Sequence, residues 1–256
     1  MKDIDTAKKI AVLIDAENAQ HCVMSAILAE LSKHGHLAVK KAYGDWSSNH
    51  LKNWKQPLNE LAITPVQQFS YTQGKNSSDA AMIIDAMDLL YTKRFDAFAL
   101  VTSDSDFTKL ASRLKEEEIF VFGVGKNQTP VAFRNACDDF ISTEILQAHE
   151  SEKDTAHTKG EKKTNNKKTK LQLKQDTKLI NLLRNAVIEY ADEDGWAALG
   201  GCGSLIKRQQ PDFDPRNHGY QTLSLLFEAT ELFEIERRKN SGNPDSKTIY
   251  VKPKKK

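Results

Sequence analysis

Over the first 150 residues, short unbroken apolar runs alternate with segments whose apolar positions recur every three or four residues. Residues 10–14 and 97–101 are continuous apolar runs of strand length, the pattern of strands covered on both faces. Residues 37–43, 63–69, 119–124 and 141–145 read as further strands. Between them, residues 19–34 carry Val23, Ile27, Leu28 and Leu31 on one helical face and stop at Gly35. Residues 50–61 read as a second helix. Ser77 or Ser78 caps a third, whose inward stripe reads as Ala81, Ile84, Met87 and Tyr91. Residues 107–117 form a fourth. Thr129-Pro130 opens a fifth, with proline early in the helix, where its missing N–H costs nothing. This β-α alternation predicts an α/β fold, a parallel sheet with helices on both faces.

The pattern breaks at residues 151–176, which hold eight lysines and almost no apolar side chains. Such a composition cannot offset the entropy of ordering, so it reads as a flexible basic linker. A smaller unit follows over 177–256. Leu179, Leu182, Leu183, Ala186, Val187 and Tyr190 form a helical stripe, Gly195-Trp196 a turn, and Gly200-Gly201-Cys202-Gly203 a tight loop. Residues 204–209 and 221–230 read as helices, the second with Leu223, Leu226 and Phe227 inward. Residues 233–237 and 248–251 alternate as strands around turn chemistry at 241–245, and 252–256 read as a frayed tail. Three helices and a hairpin predict a small winged helix-turn-helix domain.

Charge sharpens this division. The whole chain is +2 with mean hydropathy −0.57, but residues 1–150 carry 16 Lys/Arg against 20 Asp/Glu, and residues 151–256 carry 21 against 15. An acidic half joined to a basic half favours nucleic-acid contact by the basic part. No apolar run approaches the roughly 20 residues of a membrane helix, and the start shows no secretory signal. Cys22, Cys137 and Cys202 are odd in number and far apart, which argues against a disulfide framework and for a reducing cytoplasm. Neither cysteine nor histidine spacing suggests zinc.

Carboxylates carry the candidate chemistry. Asp15 ends the first buried run, Asp45 follows the second strand, Asp104 and Asp106 follow residues 97–101, and Asp79 starts a helix. In open parallel sheets ligands bind outside the carboxyl ends of the strands, so these acids converge on one edge. Their mutual repulsion calls for a cation, and an all-oxygen set suits Mg2+ or Mn2+. An ion held there can activate water and stabilise charge developing on a phosphate. Asp79 and Asp106 also have a plainer reading as helix caps, Asp85 and Asp88 as a solvated helix face, and Trp196 as a core residue. Asn18 can cap a helix or orient phosphate or water, and Lys75 can clamp a substrate phosphate at the same edge. In the second unit Lys207, Arg208, Arg216 and Tyr220 are the candidate nucleic-acid contacts, the cations for phosphates and the ring for stacking, with core packing as the plainer reading of Tyr220. No dinucleotide fingerprint, P-loop or nucleophile elbow is present.

The stretches Ile14-Asp15-Ala16-Glu17-Asn18, Tyr43-Gly44-Asp45-Trp46, Gly74-Lys75-Asn76-Ser77-Ser78-Asp79, Ile84-Asp85-Ala86-Met87-Asp88, Ser103-Asp104-Ser105-Asp106-Phe107 and Phe133-Arg134-Asn135-Ala136-Cys137 resemble the NYN domain of LabA-like proteins, in the PIN-like nuclease superfamily. The resemblance spans about residues 8–148. It implies a PIN-like Rossmannoid sheet and a metal-dependent ribonuclease, with Asp15, Asp79, Asp104 and Asp106 as catalytic and metal-binding acids and Asn18 as the motif asparagine. Asp194-Gly195-Trp196-Ala197, Gly203-Ser204-Leu205-Ile206-Lys207, Pro211-Asp212-Phe213-Asp214-Pro215-Arg216 and His218-Gly219-Tyr220 resemble an OST-HTH (LOTUS) domain, which implies RNA binding and, in some members, a protein partner. The expected organisation is a nuclease domain at 1–150, a linker at 151–176 and an RNA-binding domain at 177–256. A non-catalytic RNA-binding adaptor that keeps the acidic edge is the alternative. Oligomeric state, RNA target and endo- or exonucleolytic action stay open.

Overall fold

Lys9–Asp15 (β1) is buried at every position after the first, because it lies mid-sheet with side chains alternating into two apolar layers. The computed structural model describes residues 8–69, 77–147, 169–240 and 243–254. The chain divides into two units, residues 1–159 and 160–256. In the first, β1 is joined by His36–Gly44 (β2), Thr64–Gln67 (β3), Ala97–Val101 (β4), Phe120–Gly125 (β5) and Asp139–Ser142 (β6). The order is β3-β2-β1-β4-β5-β6, with every neighbouring pair parallel. Chain order therefore reverses between β1 and β4, and their carboxyl ends form the crevice where such sheets bind ligands.

The intervening helices are Met24–Leu31 (α1), Lys55–Glu60 (α2), Ser77–Tyr91 (α3), Thr108–Glu116 (α4) and Val131–Ala136 (α5). Ile10, Val12 and Ile14 pack with Ile27, Leu31 and Trp54 on one face of the sheet. Ala11 and Leu13 pack with Met82, Ala86, Leu110 and Phe133 on the other. The expected α/β architecture is thus present, with several boundaries moved. Helix α1 starts late because the chain first turns tightly: Asn18 and Ala19 N–H donate to the Asp15 carbonyl at 3.3 and 2.8 Å, and a 3-10 turn at His21–Val23 comes before the helix. The helix read at 50–61 is a 3-10 turn, Asn49–Trp54, followed by α2. Pro57 has no N–H to continue one helix across that point. Strand β6 ends at Ser142, where the chain turns into a helical stretch over 143–147.

Helix α3 turns a different face inward than the sequence stripe suggested. Met82, Ala86 and Leu90 are buried with Asp79, whereas Ile84 and Tyr91 are 63 % and 62 % exposed.

The second unit comprises Lys170–Gln175 (α6), Thr177–Tyr190 (α7), Ala197–Ala198 (β7), Leu199–Gln209 (α8), Leu223–Thr230 (α9), Phe233–Asn240 (β8) and Asn243–Pro253 (β9). Its sheet runs β7-β9-β8 and is antiparallel. The winged-helix composition is as expected, with three local corrections. Residues 169–175, read as linker, form a capped helix. Thr169 Oγ1 accepts from Gln172 N–H, Gln172 Oε1 accepts from Thr169 N–H at 2.8 Å, and Leu173 is fully buried in the core. The glycines at 200–203 open α8 instead of forming a loop. A Cβ at Gly201 would stand 2.6 Å from the Tyr190 ring, so the missing side chain lets α8 lie against α7. Lys252 and Pro253, read as tail, pair in β9. The linker reading at 151–168 lies outside the described residues. No helix among the described residues is long and apolar enough to cross a membrane.

The inward face of α3 can be checked by denaturation. Met82→Ala is expected to cost about 2–5 kcal/mol, the price of a buried large-to-small change, whereas Ile84→Ser stays within about 0.5 kcal/mol. Equal losses would contradict this face.

Candidate metal centre

Asp15 lies at the end of β1, 1 % exposed, with both carboxylate oxygens occupied. Glu17 and Asn18 N–H donate to Oδ1 at 3.2 and 3.3 Å. Asn18 Nδ2 and Thr102 Oγ1 each donate to Oδ2 at 2.8 Å. Thr102, next after β4, also accepts from Asp104 N–H at 3.1 Å, so one hydroxyl ties the ends of β1 and β4 together. Burial raises the Asp15 pKa, and these hydrogen bonds counter the rise.

Asp104 precedes a 3-10 turn, Ser105–Phe107, and its Oδ1 accepts from Asp106 N–H at 2.9 Å. The capping role is thus Asp104's and not Asp106's. Helix α3 brings Asp79 to the same place from its first turn. Asp79, Asp104 and Asp106 each present a carboxylate oxygen within 4.8 Å of the others, in an arrangement that could hold a metal ion. Burial, then Asp15, Asp104, Glu17 and Asp106, raise the Asp79 pKa to about 6. Glu17 was missed in the sequence reading, although its place two residues after a strand-terminal acid could have marked it. Thr102 was missed because an isolated threonine carries no spacing signal.

Other expected members stand elsewhere. Asp45 Oδ1 accepts from Ser47 N–H at 3.1 Å and Gln67 Nε2 at 2.9 Å, organising the loop between β2 and the end of β3, and Asp45 is not in the three-acid group. Asn18 sits in a turn with its amide committed to Asp15. Lys75 lies outside the described residues. Asp85 is not on a solvated face: it accepts from Lys41 Nζ at 2.7 and 3.0 Å and from Tyr43 Oη at 2.6 Å.

A model of the NYN domain matches residues 9–146. The chain belongs to the NYN family. That family lies within the PIN-like nuclease superfamily, so the sheet and its acidic edge are a nuclease-like fold. An OST-HTH/LOTUS domain model matches residues 171–244, beginning within α6. No functionally curated protein matches the chain. Solved structures similar to it include the following two. A protein of unknown function from Vibrio parahaemolyticus is 18 % identical over 56 % of this chain and 96 % of its own, with a TM-score of 0.46. An uncharacterized protein from Nitrosomonas europaea is 38 % identical over 30 % of this chain and 72 % of its own, with a TM-score of 0.27.

In the OST-HTH domain the four expected RNA contacts separate. Lys207 and Arg208 lie in the last turn of α8, where Lys207 Nζ donates to the Pro211 carbonyl at 3.4 Å and Arg208 Nη2 to Tyr190 Oη at 2.7 Å. Arg216 is clamped on Asp214 at 2.7 Å, and Tyr220 is 7 % exposed in the core, so its ring is not offered to a base. Trp196, read as core, is half-buried outside the core cluster, with Arg238 Cζ 5.2 Å and Lys252 Nζ 5.7 Å from its ring centre. The domain itself is nearly neutral: residues 169–254 hold 13 Lys/Arg and 12 Asp/Glu. The basic excess of the C-terminal half lies in residues 151–168 and the last two lysines.

Two outcomes follow from this electrostatics. Asp79 holds its proton more tightly folded (about 6) than unfolded (3.8). In metal-free protein its contribution to stability is therefore full below pH 4 and is lost as pH rises through 6, at most about 3 kcal/mol. A divalent ion replaces the proton, so the rise in Tm on adding Mn2+ should grow from pH 5 to 7; a pH-independent rise would contradict the site. Thr102→Val keeps the shape but leaves Asp15 Oδ2 one donor short. It should cost about 1–3 kcal/mol in thermal or urea unfolding, and a neutral result would show the link to be dispensable.

Proposed function

We propose that the NYN domain is a ribonuclease that hydrolyses RNA phosphodiester bonds using Mg2+ or Mn2+, and that the OST-HTH domain with the lysine-rich segment before it holds the RNA. The observation that carries this is the approach of Asp79, Asp104 and Asp106 within 4.8 Å at the switch point of the sheet. The donors are all carboxylate oxygens, with no histidine or cysteine among them, and burial together with the neighbouring acids raises the Asp79 pKa. Such a set fits a hard divalent cation.

Asp79, Asp104 and Asp106 would hold the ion, with Asp15 behind them as a buried negative charge. When bound, the ion supplies Lewis-acid stabilisation of a phosphate and activation of water. The chain's own residues supply order: Asn18 and Thr102 fix Asp15, and the turn at Asp104 sets its carboxylate beside Asp106. Asp45, which shapes the loop beside β2, would contact substrate there, and Lys75 would clamp its phosphate. The metal-free acidic edge repels RNA, so the lysines at 151–168 and 255–256, with Lys207 and Arg208, provide the attraction. Tethering the two domains raises the RNA concentration at the acids without further contacts there. The free cysteines Cys22, Cys137 and Cys202 fit a reducing cytoplasm.

The test is incubation of labelled single-stranded and structured RNA with the full chain in Mn2+, Mg2+ or EDTA, beside Asp104→Asn. The expected result is cleavage in metal only, reduced at least about 100-fold in the variant. RNA binding without cleavage in any metal would favour the adaptor reading, and RNA binding that survives removal of residues 151–256 would remove the tethering role.

A further inference from the structure

Helix α3 has apolar residues on nearly every side, so burial alone does not decide which side faces the sheet. Ala81, Ile84 and Met87 form one eligible stripe, and Met82, Ala86 and Leu90 form another, centred about 160° away around the helix at 100° per residue. The structure buries the second and leaves Ile84 and Tyr91 in solvent. A directional contact selects between them. Tyr43, on β2, is fully buried, and its hydroxyl needs a partner there. It donates to Asp85 Oδ2 at 2.6 Å. Lys41, two residues earlier on the same strand, donates to both Asp85 oxygens at 3.0 and 2.7 Å. Burial and the Asp85 carboxylate push the Tyr43 phenol above its ordinary pKa, so it remains a donor at any working pH.

The rotation matters because Asp79 lies on the same rigid helix, six residues or about 9 Å before Asp85. Turning α3 to bury the other stripe would swing Asp79 away from Asp104 and Asp106. We propose that Asp85 is a positioning residue: held by Lys41 and Tyr43, it sets the rotation of α3 and thereby delivers the Asp79 carboxylate to the metal centre. This rests on the reading above that Asp79, Asp104 and Asp106 bind a divalent ion. Apolar contact supplies the adhesion of α3, and the half-buried polar contact supplies its specificity.

The experiment measures Mn2+ affinity of the purified full chain by calorimetry without RNA, with circular dichroism as the check on folding. Wild type is expected to bind Mn2+. Asp85→Asn should weaken binding about tenfold and Tyr43→Phe several-fold, with helix content retained, while Asp85→Glu recovers part of the loss and Ile84→Ser changes nothing. A merely structural role would lower Tm and leave the affinity of the folded protein alone. If Asp85→Asn does not fold, Tyr43→Phe, which removes one oxygen, decides. Wild-type affinity in the folded variants overturns the positioning role. Absence of Mn2+ binding in wild type overturns the metal reading itself, and the two failures are thereby told apart.

Discussion

Like charges do not gather without cause, and the NYN domain brings five carboxylates, those of Asp15, Glu17, Asp79, Asp104 and Asp106, to one end of its sheet, where burial and the neighbouring acids raise the Asp79 pKa to about 6. The scaffold that tolerates this is the pair β1 and β4, whose buried apolar residues anchor in both cores. Where their carboxyl ends meet, the sheet order reverses. The apolar layers thus supply the stability that the edge consumes. The result is an arrangement that could hold a cation.

How far this was legible in the sequence follows from how much each signal depends on neighbours. Residues 10–14 and 97–101 could be read as buried strands because nothing else explains so dense an apolar run, and the acids that end them were legible for the same reason. Asp79 came from its place at a helix start. The face of α3 was not legible: Ile84 and Met82 look equally apolar in one dimension, and only the pairing of Asp85 with β2, forty residues away, separates them. Thr102 and Glu17 escaped because their importance lies in what they touch. The short helix α6 hid in lysine-rich sequence, since one buried leucine and one capping box are a weak pattern until the core that receives Leu173 is known. Gly200 to Gly203 looked like a loop because glycine disfavours helices, yet a helix passing under Tyr190 requires Gly201.

The charge division takes a different form once the domains are seen. The basic excess of the C-terminal half does not belong to the OST-HTH fold, whose Lys/Arg and Asp/Glu almost balance. Helix α9, the second helix of the helix-turn-helix, has no basic residue and exposes Leu225. In the proposed function, electrostatic attraction for RNA would therefore rest on the lysines between the domains and at residues 255–256. The fold itself offers the last turn of α8 and the half-buried Trp196 beside Arg238 and Lys252.

Within the acidic edge there is a comparable separation. A carboxylate has about four places for donors, and Asp15 fills them with two backbone amides, Asn18 and Thr102. Burial raises its pKa, and these four donors counter that rise, so its negative charge is met by the protein itself. Asp79 has no comparable set; its one hydrogen bond among the described residues, from Ser78 Oγ, is 3.5 Å long. Asp79 therefore takes up a proton near pH 6 when no cation is present, under a field to which Asp15 is the largest charged contributor. Two tiers of acid result: an inner one compensated by the fold, and an outer one left for an ion to compensate. The inner tier strengthens the outer without competing for the ion, which accounts for a buried aspartate whose oxygens all point back into the protein.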